Sequence, residues 1–296
     1  MPTPDSARWP ELICPVCAGL LHLARRPDGR PASLSCEEGH RFDAAKQGHL
    51  NLLTGRGSKH AEDTKGMVAS RERWLESGHY SPIAAALGRA VARHGRPASS
   101  GMDAEDQVPL RMVDTGAGTG YYTRNVLNSW DGPATAVDLD LSKAAAQRAA
   151  RDFRVLSLVW DTWKDWPLSA GSADVLLDVF APRNLPEFAR VLRPGGLAVV
   201  VVPAPQHLRQ LRTFGLLGID EHKEERLATA FSTDFDELDV EDVQSRIDLT
   251  PDSAADLIHM GPAGHHSSWE TIRDGLVRDP VPHVDLAVRI HAYLRH

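Results

Sequence analysis

Cysteine is scarce in this chain, with three in 296 residues. An odd number that small cannot close a disulfide framework without leaving one thiol over. No apolar stretch is long enough to span a bilayer, which excludes a helical membrane protein. Met1 to Pro10 has neither the apolar core nor the basic start of a signal peptide, so a cytoplasmic location is expected. Positive charge is also in short supply. A net charge of −7 argues at first against a nucleic-acid partner. The distribution of that charge points the other way: Asp220 to Asp256 holds thirteen acids against three bases, leaving +3 for everything else. From Arg41 to Lys59 the balance is four bases to one acid, read either as a nucleic-acid patch or as a solvated loop.

What the chain does contain begins with those cysteines. Cys14 and Cys17 form a C-x2-C knuckle, and Cys36 with His40 forms C-x3-H. Three thiolates and one imidazole in two close pairs suit one tetrahedral zinc ion with no open position, hence a structural site. A disulfide or buried free thiols are the competing readings. A segment of some forty residues has little core of its own, so metal binding should supply much of its folding free energy. Between the knuckles, Arg25 to Pro31 reads as a hairpin turn carrying Arg25, Arg26 and Arg30. Zinc ribbons often offer such turns to nucleic acid. Arg41 to Leu53 should pack back, Thr54 to Lys59 reads as a linker, and Asp63 to Glu76 as a helix capped by Asp63 or Thr64. Ile83 to His94 reads as a second helix, and Gly95 to Pro109 as an exposed loop.

The second landmark is Arg111-Met112-Val113-Asp114-Thr115-Gly116-Ala117-Gly118-Thr119-Gly120-Tyr121-Tyr122, an apolar strand running through alternate glycines into a helix. Tyr121 stands where a dinucleotide fingerprint would have its last glycine. A tight turn without a ligand is the plain alternative. The D-x-G-x-G-x-G pattern resembles the first motif of class I S-adenosylmethionine (SAM) methyltransferases.

A wider set of motifs extends that resemblance across nearly the whole chain. The knuckles, Arg41-Phe42-Asp43, Lys46-x-Gly48-x-Leu50-Asn51-Leu52-Leu53, Arg71-x2-Trp74-Leu75-x2-Gly78-His79-Tyr80-x-Pro82 and the glycine loop occur in this order. Together they resemble the RlmA family, guanine-N1 methyltransferases of large-subunit ribosomal RNA. The resemblance implies an α/β, class I SAM-methyltransferase Rossmann-like fold, with a mixed, mostly parallel seven-stranded sheet and a small N-terminal zinc-ribbon domain. It divides the chain into a zinc-binding RNA-recognition domain (1–55), a linker and helix (56–82) and the methyltransferase domain (83–296). It further implies SAM and one structural zinc as cofactors, 23S ribosomal RNA as partner, no membrane contact, and a homodimer. Arg25, Arg26, Arg30, Arg41, Lys46 and Lys59 become candidate RNA contacts, and Asp114, Gly116, Gly118, Gly120 and Tyr80 candidate cofactor contacts. The Phe180-Ala-Pro-Arg-Asn run inclines toward the branch that confers resistance to tylosin-type macrolides, with guanine 748, or 745, as the target.

The strands that follow carry the remaining candidates. Thr135 to Leu139 should be the second strand, and a carboxylate after it is placed to meet a ribose. Asp140 fits the family's Asp-x-Ser-Lys ending, with Asp138 as the alternative. Arg154 to Trp160 leads to Asp161, which would meet the adenine amino group or cap the next turn. Ala173 to Val179 ends at Asp178 and the Phe180 to Arg183 segment, beside the topological switch point where ligands settle. Arg193-Pro194-Gly195-Gly196 turns into a fifth strand, Leu197 to Val202. Guanine N1 must lose a proton, so a base within reach would help. Asp178 and His207 are the titratable groups whose positions allow it.

Later, Lys223 to Ala230 reads as a helix, Phe231 to Phe235 and Val243 to Leu249 as two strands, Pro251 to Met260 as a helix, and Val284 to His291 as the last strand. His265 and His266 invite a metal reading but have no other ligands nearby in sequence. Two rival functions stay open: a methyltransferase acting on a small molecule such as a polyketide, and a non-catalytic zinc-dependent RNA-binding protein.

Overall fold

The computed structural model describes residues 9–55, 58–97, 108–214, 229 and 231–296. The chain opens with a small antiparallel sheet of β1 (His22–Arg25), β2 (Pro31–Ser35) and β3 (Arg41–Asp43), followed by the short β4 (Leu50–Asn51). Two helices come next: α1 (Lys65–Glu76), capped by the Thr64 hydroxyl, and α2 (Ser81–His94).

An alternating β/α run then builds the main body: β5 (Leu110–Thr115), α3 (Tyr121–Ser129), β6 (Ala134–Asp140), α4 (Lys143–Ala149), β7 (Val155–Val159), β8 (Ala173–Val179), α5 (Leu185–Val191) and β9 (Leu192–Pro203). β7 and β8 are buried along their whole length. That follows from near-continuous apolar runs, because a parallel sheet is covered on both faces. The carboxyl-terminal part is β10 (Phe235–Asp248), α6 (Pro251–His259), α7 (Trp269–Arg278) and β11 (His283–Arg295).

The strand order is β10-β11-β9-β8-β5-β6-β7-β4. β11 runs antiparallel between β9 and β10, and the other neighbours are parallel. One apolar layer packs α2, α3 and α6 against one face. On the other, Phe188 of α5 and Trp166 share a cluster with Leu12, Leu34, Leu50 and Leu52 of the front segment.

Three expectations change. The sheet has eight strands rather than seven, because Leu50 and Asn51 add to the outer edge of β7, pairing with Leu158 and Val159. The front segment is therefore continuous with the main core. The two strands expected around Phe231–Phe235 and Val243–Leu249 are replaced by one, β10, while Phe231 precedes it and stacks on Tyr293 at 4.2 Å. On an edge strand with one side in water, the acids at 236 to 242 do not interrupt pairing, and a bulge between Glu237 and Asp239 takes up the irregularity. α7, capped by Ser268, has no counterpart among the expected elements. All but Thr229 of the helix expected at Lys223 to Ala230, and most of the loop expected at Gly95 to Pro109, lie outside the described residues.

Candidate active site and metal centre

The two knuckles meet in space. The ligand atoms of Cys14, Cys17, Cys36 and His40 all lie within 4.8 Å of one another, with Cys17 Sγ 3.6 Å from Cys36 Sγ and Cys36 Sγ 3.4 Å from His40 Nδ1. Zinc bonded at ~2.3 Å to tetrahedrally arranged sulfurs would separate them by about 3.8 Å, so the donor set fits the ion in size and chemistry. Its four ligands leave no position for a substrate, and the centre is structural.

At the carboxyl ends of the parallel strands lies a cleft of about 640 Å³. Its floor is the glycine loop between β5 and α3. Gly116, Gly118 and Gly120 all have positive φ, at 69°, 58° and 69°. At Gly116 a Cβ would also stand 2.6 Å from Ala181 Cβ, so two reasons fix glycine there. A Cβ at Gly120 would meet the Ala149 backbone at 2.9 Å. Asp140, at the end of β6, holds the loop from the side, accepting Gly118 N–H at 2.8 Å and Ser142 N–H at 2.7 Å. Asp140 lines the cleft, and Asp138 does not.

Asp138 lies beneath the loop instead, 1% exposed, with the equally buried Asp114. The Thr123 hydroxyl faces both, 2.7 Å from Asp114 Oδ2 and 2.9 Å from Asp138 Oδ1. One hydroxyl has one proton to give, so a second proton must sit on a carboxyl. Burial pushes the Asp114 carboxyl up to about 7 and Asp138 well above the usual range. Asp114 still reaches the cleft wall.

Comparison with known proteins decides the family. A family model described as RlmA, N-terminal, matches residues 12–58, and one described as methyltransferase domain matches residues 112–196. A Micromonospora griseorubida protein named as a 23S rRNA (guanine-N1)-methyltransferase is 42% identical over 96% of this chain and 97% of its own. The Streptomyces fradiae 23S rRNA (guanine(748)-N(1))-methyltransferase is 41% identical over 90% of this chain and 89% of its own. The chain belongs to the 23S rRNA (guanine-N1)-methyltransferase family. Its fold is also similar to that of a chain of the complex between the Haloferax volcanii Trm112 methyltransferase activator and a methyltransferase. There the TM-score is 0.50 at 19% identity, covering 79% of this chain and 99% of that one, and the likeness concerns fold alone. As a member of this methyltransferase family the protein uses SAM, and its ribbon holds a structural zinc.

For a guanine-N1 methyltransferase the proton acceptor matters, and neither expected candidate presents one. Asp178 is fully buried, does not line the cleft, and lies 3.5 Å from Arg183 Nε. His207 does line it, 4% exposed, stacked on Phe180 at 5.8 Å. Its Nδ1 accepts the Ala287 N–H at 3.2 Å, and burial lowers its pKa to about 4. The neutral ring therefore carries its proton on Nε2 and offers the cleft a donor.

Other expected residues are placed as follows. Tyr80 is buried in the cleft wall, edge-on to Trp74. Asp161 also lines it, accepting Ser58 Oγ–H at 2.7 Å and Trp163 N–H at 3.1 Å, so it braces the turn as well. In the ribbon, Arg26 donates to the Ala44, Ala45 and Lys46 carbonyls. Arg25 lies over Trp9 and donates to Gly29 O. Arg30, Arg41, Lys46 and Lys59 are exposed, Arg41 beside Asp43 at 2.8 Å. His265 lies 3.9 Å from Asp63, and among the described residues the Cys14 to His40 group alone has metal-ligand spacing.

Three further cleft residues carry weight, and of these only Phe180 is expected there, from its place beside the switch point. Arg71 reaches over Gly118, held by Asp63 Oδ2 at 2.5 Å and Met260 O at 2.9 Å. Phe180 adopts φ 57° and is 40% exposed, a backbone cost of the kind stored at working sites. Trp163 is 53% exposed. Arg71 sits in the Arg71-x2-Trp74 motif, which could have flagged it. Nothing in the pattern singles out Trp163 among seven tryptophans.

Proposed function

We propose that the protein methylates N1 of guanine 748 in a hairpin loop of 23S ribosomal RNA, and thereby protects its host from tylosin-type macrolides. The observation that carries this reading is the near full-length similarity to the guanine-748 enzyme of Streptomyces fradiae. The geometry supports it: a zinc-ligand cluster and an open strand-end cleft are fused through β4 into one body. We assign residues 1–55 to RNA recognition, 56–82 to the link and 83–296 to methyl transfer, in a cytoplasmic homodimer.

Chemically, an N1–CH3 bond forms as the S–CH3 bond breaks to release S-adenosylhomocysteine, and the N1 proton passes to water. SAM supplies the activated methyl group, and the chain's task is alignment. In this reading Asp140 and the glycine loop, whose missing side chains leave the cleft floor open at Gly116 and Gly118, seat the donor at the β5–β6 end. Phe180 and His207 frame the target base at the β8–β9 end, with the His207 Nε2–H available to an acceptor. Because N1 lies on the pairing edge, an unpaired loop guanine spares the cost of opening a helix.

The test is incubation with methyl-tritiated SAM and either unmodified 23S rRNA or a macrolide. Label should appear in RNA as N1-methylguanosine. Label in the drug alone would replace this reading with small-molecule methylation.

A further inference from the structure

Trp163 stands apart from the other six tryptophans, all of which are buried or half-buried. It projects from the loop after β7, on the cleft wall, with 53% of its surface in solvent. The ring of His60 faces it, 6.4 Å between centroids and tilted by 37°. The two rings thus make an open wedge at the mouth rather than a packed pair.

The wedge is mounted rigidly. Asp161, only 5% exposed, accepts both the Trp163 N–H and the Ser58 hydroxyl, and Ser58 Oγ in turn accepts His60 N–H at 3.0 Å. From below, the Trp166 indole and Asn184 amide donate to Thr162 O at 2.9 and 3.1 Å. An exposed tryptophan with mobile support would be unremarkable. Here a buried carboxylate fixes the backbone that carries the ring, which places an aromatic face at the rim.

Its position says what it could stack on. The zinc ribbon joins the same stretch, with Ile13 N–H donating to Pro167 O at 3.1 Å and Leu12 bridging to Leu168. RNA passing from ribbon to cleft would cross this wedge, and the exposed Lys59 lies beside it in the chain. The buried Asp161 and Thr162 lie on the inner cleft wall, while Trp163 extends outward from them.

We propose that Trp163 and His60 form a stacking site for an unpaired RNA base adjacent to the target guanine. This rests on the rRNA reading above. Aromatic platforms bind single-stranded bases through their π faces, with little sequence demand. Such a contact would hold the loop open while the target guanine occupies the Phe180–His207 end.

The test uses the zinc-loaded full chain, an unmodified 23S rRNA hairpin transcript and S-adenosylhomocysteine. Trp163→Ala should weaken RNA binding on the order of 10-fold, measured by anisotropy without cofactor. The loss in turnover should fall on KM for RNA. Trp163→Phe should restore most of the affinity, and S-adenosylhomocysteine affinity should hold in both variants. Unchanged RNA affinity in Trp163→Ala would overturn the proposal. So would a loss confined to S-adenosylhomocysteine, which would assign the ring to adenine. Methylation of RNA by the wild type is scored separately and tests the preceding reading, whereas the variant-to-wild-type ratio of RNA affinity tests this one.

Discussion

Single side chains in the ribbon divide by what their donors already hold. Arg26 gives its guanidinium to three carbonyls of the β3–β4 connection, and so acts as a staple. Arg26→Ala should cost about 1–3 kcal/mol of stability, seen as a lower melting temperature. Arg30→Ala should leave the melting temperature within error and reduce the salt dependence of RNA binding by about one counterion. Protons are distributed with equal consequence. His207 is held neutral, with its folded pKa near 4 against 6.5 in the unfolded chain. Its contribution is therefore complete above pH 6.5 and lost as pH falls toward 4, up to about 3 kcal/mol. His207→Gln should show a shallower acid limb in denaturation curves over that window. Asp114 and Asp138 have the opposite sign: each raised carboxyl pKa costs stability as pH climbs above the ordinary carboxylate range, up to about 7 for Asp114. Asp138→Asn should raise the melting temperature, and by more at pH 8 than at pH 5.

At the scale of elements, the β5–α3 loop concentrates the constraints. Gly116→Ala adds a Cβ at φ 69° and 2.6 Å from Ala181. It should cost about 1–3 kcal/mol and weaken SAM binding in calorimetry. The strands that carry this loop are legible in sequence because burial on both faces demands unbroken apolar runs, as at Ala173–Val179. The knuckles are legible because four ligands on one tetrahedral ion require close pairs. α7 has no counterpart among the expected elements although Trp269, Ile272 and Leu276 recur at helical spacing behind the Ser268 cap and pack on the core; Leu276 alone of them is fully buried. β10 reads as two strands, since an acid-rich edge looks like a loop when pairing is invisible. Acids there also guard an open edge against unwanted pairing. Choosing Asp140 over Asp138 depends on family pattern. The structure gives a physical reason for separating them: Asp140 meets the glycine loop from the cleft side, whereas Asp138 lies beneath it with Thr123. His207 as a proton acceptor cannot be judged from sequence, because its tautomer is set by Ala287, eighty residues away.

Across the whole molecule, the ribbon joins the sheet at β7, while the Phe180–His207 end lies at β8 and β9. Three to four strand spacings separate them, about 15–20 Å. If the ribbon recognises RNA as proposed, the substrate has to span both. A loop-only oligonucleotide should therefore show a much higher KM than a full hairpin. Removing zinc should reach past the ribbon, because Cys14 and Cys36 share an apolar cluster with Leu139 and Trp160 of the main body. Chelation should release one zinc per chain and lower the melting temperature of the whole protein. The central claim is methyl transfer to N1 of one loop guanine, and primer extension on 23S rRNA from cells with and without this gene tests it most directly. The account predicts a gene-dependent stop at guanine 748, because N1 methylation blocks pairing. Identical extension profiles from the two strains would contradict it.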